Sequence, residues 1–258
     1  MTRAARSGGH NDRRSAAGVE VAAAESGSVR RVTIPGGPLR ADTAADLARL
    51  ASELSEDRDV RVVTLRARSS VFCEGPAPDL RPTELDVDPA ASLARLRPPV
   101  VVAVTGDCRS VGLELILAAD IRLCDPGARF GFPDLAEGRL PCWGGTQRLG
   151  RAIRPAEATA MILLGSDLDA DRAHSLGLVH AIDDDPGDLA QALAQELATR
   201  GPLALELAKE AVHRGAELPL RDGLRLEGDL NHQLAATDDR AEGLAAFFDK
   251  RPPDFAGR

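Results

Sequence analysis

The stretch Pro99–Gly106, PVVVAVTG, is almost entirely apolar and ends in a small-residue turn. A strand that is apolar on both faces must be covered on both, as in a parallel sheet with helices on either side. Two more β-type runs flank it: VRVVTLRA at 60–67 and DIRLCD at 120–125. LGLVHAID at 176–183 has the look of a late strand, and Val19–Ala24 with Val29–Ile34 reads as a hairpin around ESGS. Between these runs lie helical patterns, the clearest being ADTAADLARLASELSED. Strands alternating with helices predict crossover units and the α/β class. From Pro186 to Lys250 the pattern is helical almost throughout. The expected organisation is an Arg-, Ser- and Gly-rich disordered tail at 1–17, a β/α core at 18–185 and a helical C-terminal region at 186–258.

The formal net charge of −8 argues against a protein that coats nucleic acid. No apolar stretch reaches the length of a membrane span, and the N-terminus lacks the apolar centre of a secretory signal. Cys73, Cys108, Cys124 and Cys142 are scattered without CxxC or His spacing, so reduced thiols and a cytoplasmic location are expected, with no metal site. His174, His180, His213 and His232 have no partner pattern. No phosphate-binding glycine loop is present, which gives no support to nucleotide or nicotinamide chemistry.

One carboxylate, Glu114, interrupts the apolar run RSVGLELILAADIRLC. Charged groups are rarely buried unless paired or used. A helix beginning near Ser110 would present free backbone N–H groups at its first turn, a site for an oxyanion, with Glu114 about one turn inside. Twenty residues on, FGFPDLAEGRLPCWGGTQRLGR places Asp134 directly after a proline. Two carboxylates brought together near backbone donors could hold a water and move its protons. Each also has an ordinary explanation, Glu114 as a hydrogen-bonded contact residue and Asp134 as a turn or cap residue.

Taken together, VFCEG with its following DL, AVTGDCRSVGLELILAADIRLC, ARFGFPDLAEGRLPCWGGTQRLGR, AEATAMILLGSDLDADRAHSLGLVHAI and AEGLAAFFDKRPPDF resemble the crotonase (enoyl-CoA hydratase/isomerase) family in order and spacing. The resemblance runs from about Val19 to Phe255. It implies a spiral of repeated ββα units, a helical C-terminal region that builds trimers or hexamers, and an acyl-CoA substrate. It further implies that two backbone N–H groups hold the thioester oxygen while two acids flank a water. Glu114 matches the first acid, and Asp134 the second, where the hydratases usually carry Glu. Val111 matches one oxyanion donor.

The chain departs from the pattern in three places. Ser110-Val111-Gly112 stands for a glycine triplet. PAP fills the oxyanion loop, and since Pro76 and Pro78 have no N–H, Ala77 is the candidate second donor. Asp134 is a methylene shorter than Glu. For coenzyme A, the resemblance points to Leu39, Arg40, Asp79 and Leu80, and to Phe247 and Lys250 from a neighbouring subunit; a solvated basic helix end is the plainer account of Lys250. Trp143 could line the acyl pocket or pack in the core, and a thiol at Cys142 does not fit a three-acid isomerase pattern.

The expected activity is addition or removal of water across the 2,3 double bond of an acyl-CoA. The alternatives are double-bond isomerisation and acyl-CoA binding without turnover. No metal or redox cofactor is expected, coenzyme A being part of the substrate. The acyl group, and whether an acyl carrier protein replaces coenzyme A, stay open.

Overall fold

A computed structural model describes residues 13–24 and 27–258. The chain opens with β1 (Arg13–Arg14), β2 (Glu20–Ala23) and β3 (Val29–Ile34), paired antiparallel in that order. The expected hairpin is therefore present. Of the tail expected at 1–17, residues 1–12 lie outside the described ones, while Arg13 pairs with Val21 and the chain turns at Gly18 (φ 80). A backbone that can close a hairpin with a neighbouring strand satisfies its own N–H and C=O groups, and does so here.

Four successive units then share one plan, a strand in a large sheet followed by a short strand in a second layer and a helix. Strand β3 is followed by β4 (Pro38–Leu39) and α1 (Ala41–Glu56). Next come β5 (Val62–Ala67), β6 (Gly75–Pro76) and α2 (Pro89–Ala94). The third unit is β7 (Val100–Val104), β8 (Asp107–Arg109) and α3 (Val111–Leu117). The fourth is β9 (Ile121–Cys124), β10 (Arg129–Gly131), a 3-10 helix at Pro133–Glu137 and α4 (Gly145–Ala152). This is the ββα spiral of the crotonase fold.

Helix α5 (Pro155–Leu164), β11 (Leu168–Asp169), α6 (Ala170–Leu176), β12 (Ala181–Ile182) and α7 (Pro186–Ala198) complete the core. The seven-stranded sheet has the order β1-β2-β3-β5-β7-β9-β12, parallel from β3 onward. Strand β4 pairs with β6, and β8 with β10, in the second layer. The late strand is only two residues long. Leu176 ends α6, and the N–H groups of Leu178 and Val179 both turn back to the Ala173 carbonyl, so LGLV is spent on a helix cap around Gly177 (φ 81).

The valine run of β7 is buried along its whole length because it faces two cores. Val100, Val102 and Val104 pack toward the main core with Val63, Leu65 and Leu115. Val101 and Ala103 face the other way, with Val62 and Leu123, onto Ala190, Ala194 and Ala198 of α7. Period-two alternation thus divides one apolar run between two layers.

The chain ends in α8 (Pro202–Gly215), α9 (Leu220–Ala235) and α10 (Asp238–Asp249). Helix α8 is tied to the core by a half-hidden ion cluster. Lys209 Nζ lies 2.8 Å from Asp120 Oδ2, which also accepts the Val100 N–H at 2.7 Å, and His213 Nε2 lies 2.9 Å from Asp120 Oδ1. Burial works to raise the Asp120 pKa, but His213, Lys209 and the Val100 amide outweigh it and hold the carboxyl below its usual value. Beside it, Arg97 pairs with Glu206. Among the described residues no helix is long and apolar enough to cross a membrane.

Candidate active site

The loop after β7 carries the site. Strand β8 ends at Arg109, and Ser110 caps α3 in an unusual backbone conformation (φ 50, ψ −125). Helix α3 lies hard against the segment before β6: a Cβ on Gly112 would come within 2.3 Å of the Cys73 Cβ. Only glycine allows that approach, so the glycine sets how closely the helix start meets the segment at Cys73.

Glu114 is buried, with 1% exposure. Its Oε1 accepts the Trp143 N–H at 2.7 Å and the Gly145 N–H at 2.8 Å. Gly145 begins α4, and a Cβ there would meet Phe132 at 2.7 Å and Glu114 at 3.0 Å, so the close contact depends on its being glycine. Burial pushes the Glu114 carboxyl up to about 7; the Gly145 and Trp143 amides oppose the shift, and the charge of Asp134 adds to it.

Asp134 is buried in the 3-10 helix. Ser110 Oγ donates to its Oδ1 at 2.6 Å, and Arg139 Nε lies 3.6 Å from the same oxygen. Its Oδ2 is enclosed and has no hydrogen-bond partner among the described residues. Glu114 and Asp134 line a single cavity of about 720 Å³, together with Val111, Ala77, Leu80, Arg81, Arg139 and Cys142. That volume suits a small organic group of drug-like size. Cys142 is exposed at the cavity rim; partial desolvation there, with the charges of Glu114 and Asp134, pushes its thiol up to about 11.

Val111 occupies the first position of α3 on the cavity wall, where a backbone N–H has no acceptor within the helix. Ala77 does not serve as expected. Its N–H donates to the Leu39 carbonyl at 2.7 Å, next to the β4–β6 pairing, and so is already committed. The reason is topological: Gly75 and Pro76 enter the second layer as a strand, and Ala77 continues its hydrogen bonding.

Leu39 is buried and supplies that carbonyl. Arg40 and Asp79 are exposed and form an ion pair at 3.5 Å, while Leu80 is buried on the cavity wall. Phe247 and Lys250 project at the end of α10, Phe247 with 76% exposure, and neither lines this chain's Glu114 cavity. Trp143 is buried in the core, its Nε1 donating to the Pro82 carbonyl at 3.2 Å; its contribution to the site is its backbone N–H. That amide, Gly145 and the Ser110 hydroxyl were not singled out from sequence. The departure at Ser110-Val111-Gly112 was the available signal for the last. Among the described residues no cluster of three or more His, Cys, Asp or Glu could hold a metal ion.

Two buried acids line one cavity beside the start of α3, in a ββα spiral of the crotonase type. The model of the enoyl-CoA hydratase/isomerase family matches residues 36–258, and the chain belongs to that family. It is 37% identical over 231 residues to the human enoyl-CoA hydratase domain-containing protein 2, mitochondrial, covering 83% of this chain and 79% of that one. It is 37% identical over 227 residues to the 2,3-dehydroadipyl-CoA hydratase of Escherichia coli (strain K12), covering 82% and 88%. The solved enoyl-CoA hydratase of Bacillus anthracis superposes with a TM-score of 0.85 at 28% identity, over 93% of this chain and 99% of that one.

Proposed function

We propose that the chain is an enoyl-CoA hydratase in which Glu114 and Asp134 share the proton transfers. The observation that carries this reading is the pair of buried acids on one cavity wall. The thioester carbonyl of a 2-enoyl-CoA accepts a hydrogen bond from the Val111 N–H. The water oxygen bonds to C3, and one carboxylate takes the water proton. The electron pair of the double bond moves to C2 and the thioester oxygen, and the other acid protonates C2. A Glu114 pKa of about 7 keeps both of its forms accessible near neutrality. The thioester makes C2 acidic enough, once its oxygen is held, for the reaction to need no metal or redox cofactor. Coenzyme A arrives as part of the substrate, along Leu39, Arg40, Asp79 and Leu80.

The working form is a trimer or hexamer, in which Phe247 and Lys250 of one subunit reach the coenzyme of another. The exposed apolar residues Leu220, Leu224, Phe247 and Phe248 of the C-terminal helices support this. Its location is cytoplasmic, in keeping with four free cysteines. The commitment of the Ala77 N–H favours a second reading, acyl-CoA binding without turnover. Assay of crotonyl-CoA hydration by loss of the conjugated thioester absorbance, with a parallel coenzyme A titration, separates the two. Turnover that Glu114→Gln abolishes supports the hydratase; binding with no turnover in the parent rejects it.

A further inference from the structure

Ser110 is a residue with a Cβ in a backbone conformation that suits glycine. Its φ of 50 falls in the left-handed region, and such a conformation persists only when its surroundings enforce it. The side chain held there at that cost is buried, with 1% exposure, and its hydroxyl donates to Asp134 Oδ1 at 2.6 Å. Arg139 Nε approaches the same oxygen at 3.6 Å. Both nearby donors thus converge on Oδ1, while the enclosed Oδ2 has none. A buried carboxylate oxygen without a partner is costly and calls for an explanation. Ser110 and Asp134 are also two of the positions at which this chain departs from the pattern it resembles, one gaining a side chain where glycine is usual, the other losing a methylene. The two departures are in direct contact.

We infer that Ser110 is a positioning residue for Asp134. Its side chain sits against the shorter acid and its O–H holds Oδ1, which fixes the carboxylate on the cavity wall. This rests on the hydratase reading above, in which Asp134 acts on the water. The hydroxyl itself touches neither substrate nor water; it acts through Asp134. The pair works as a unit, and restoring one half of the usual pattern without the other misplaces the acid.

The test measures kcat, KM and thermal stability for crotonyl-CoA hydration in six proteins: the parent, Asp134→Asn, Ser110→Ala, Ser110→Gly, Asp134→Glu and the Ser110→Gly/Asp134→Glu double variant. Asp134→Asn lowers kcat by about 10²–10⁴. Ser110→Ala and Ser110→Gly lower it by roughly 10–100-fold, the scale of a misplaced catalytic group, with KM nearly unchanged. Ser110→Gly melts no lower than the parent, because glycine relieves the backbone, so its activity falls without a loss of fold. Asp134→Glu loses activity against the Ser110 hydroxymethyl group, and the double variant recovers at least about tenfold over it. If both Ser110 variants keep kcat while Asp134→Asn loses it, or if the double variant is no better than Asp134→Glu, the inference is overturned and the hydratase reading stands. If Asp134→Asn keeps kcat, the catalytic reading of Asp134 fails, and the inference with it.

Discussion

Glu114 Oε1 and the Gly145 N–H lie 2.8 Å apart although 31 positions separate them in the chain. The same oxygen takes the Trp143 N–H, so the acid is clamped on one side by the start of α4. A carboxyl fixed in this way presents a defined geometry to a reacting water. Glu114→Gln keeps the clamp and removes the proton carrier, and its turnover is expected to fall by about 10²–10⁴. Asp134→Asn loses on the same scale, and the double variant loses less than the two combined, because groups acting on one water are not additive. Steady-state kinetics on the three variants checks this; a full-rate Glu114→Gln rejects the two-acid mechanism.

The raised Glu114 pKa has a consequence for stability. The folded value is about 7 and the ordinary one 4.5, so the fold binds this proton more tightly than the open chain does. Its contribution is complete below about 4.5 and is lost as the pH rises through about 7. Relative to Glu114→Gln, the parent should lose roughly 3 kcal/mol over that interval. Denaturant melts of both proteins at about pH 5 and about pH 8 measure it; parallel pH dependences would contradict it.

Asp120 and Lys209 join the core to α8 across a half-hidden contact, with side-chain exposures of 14% and 10%. Removing Lys209 leaves the Asp120 carboxylate with only His213 and the Val100 amide to hold it in this enclosed place. Lys209→Met is expected to cost roughly 3 kcal/mol, and Asp120→Asn with Lys209→Met to cost less than Lys209→Met alone. Thermal melts of both variants decide it.

Lys250→Ala is expected to weaken coenzyme A binding far more than binding of a short pantetheine thioester. An ammonium can pair with phosphates that the short analogue lacks. Calorimetric titration of both ligands tests this, and equal losses would remove Lys250 from the site.

Light scattering at micromolar concentration should report a trimer or hexamer. Phe247 and Phe248 stand edge to face at 5.7 Å and are each 76% exposed, an apolar surface that association would cover. A monomer would contradict the assembly.

The strand runs, the helix carrying Glu114 and the helical C-terminal region were legible in the sequence, because apolar periodicity is a local property of neighbouring residues. Glu114, Asp134 and Val111 were singled out by the resemblance, and the structure places all three on one cavity. What the sequence could not decide depends on which backbones meet in space. Ala77 was a sensible donor by elimination between two prolines, yet the pairing of β4 with β6 gives its N–H to Leu39. LGLV looked extended, yet its amides close the end of α6. Ser110 read as a small residue in a turn, yet it sits on Asp134 across 24 positions of chain. By itself the sequence determined the α/β class and the run of strands and helices, and its resemblance to a known family implied the ββα units and pointed to Glu114 and Asp134 as the candidate acids. Tertiary structure alone decided how readily Glu114 holds a proton, which oxygen of Asp134 is left without a partner and that the Ala77 amide is already engaged. Those properties depend on burial and on hydrogen bonds between segments distant in the chain, and no local pattern encodes them.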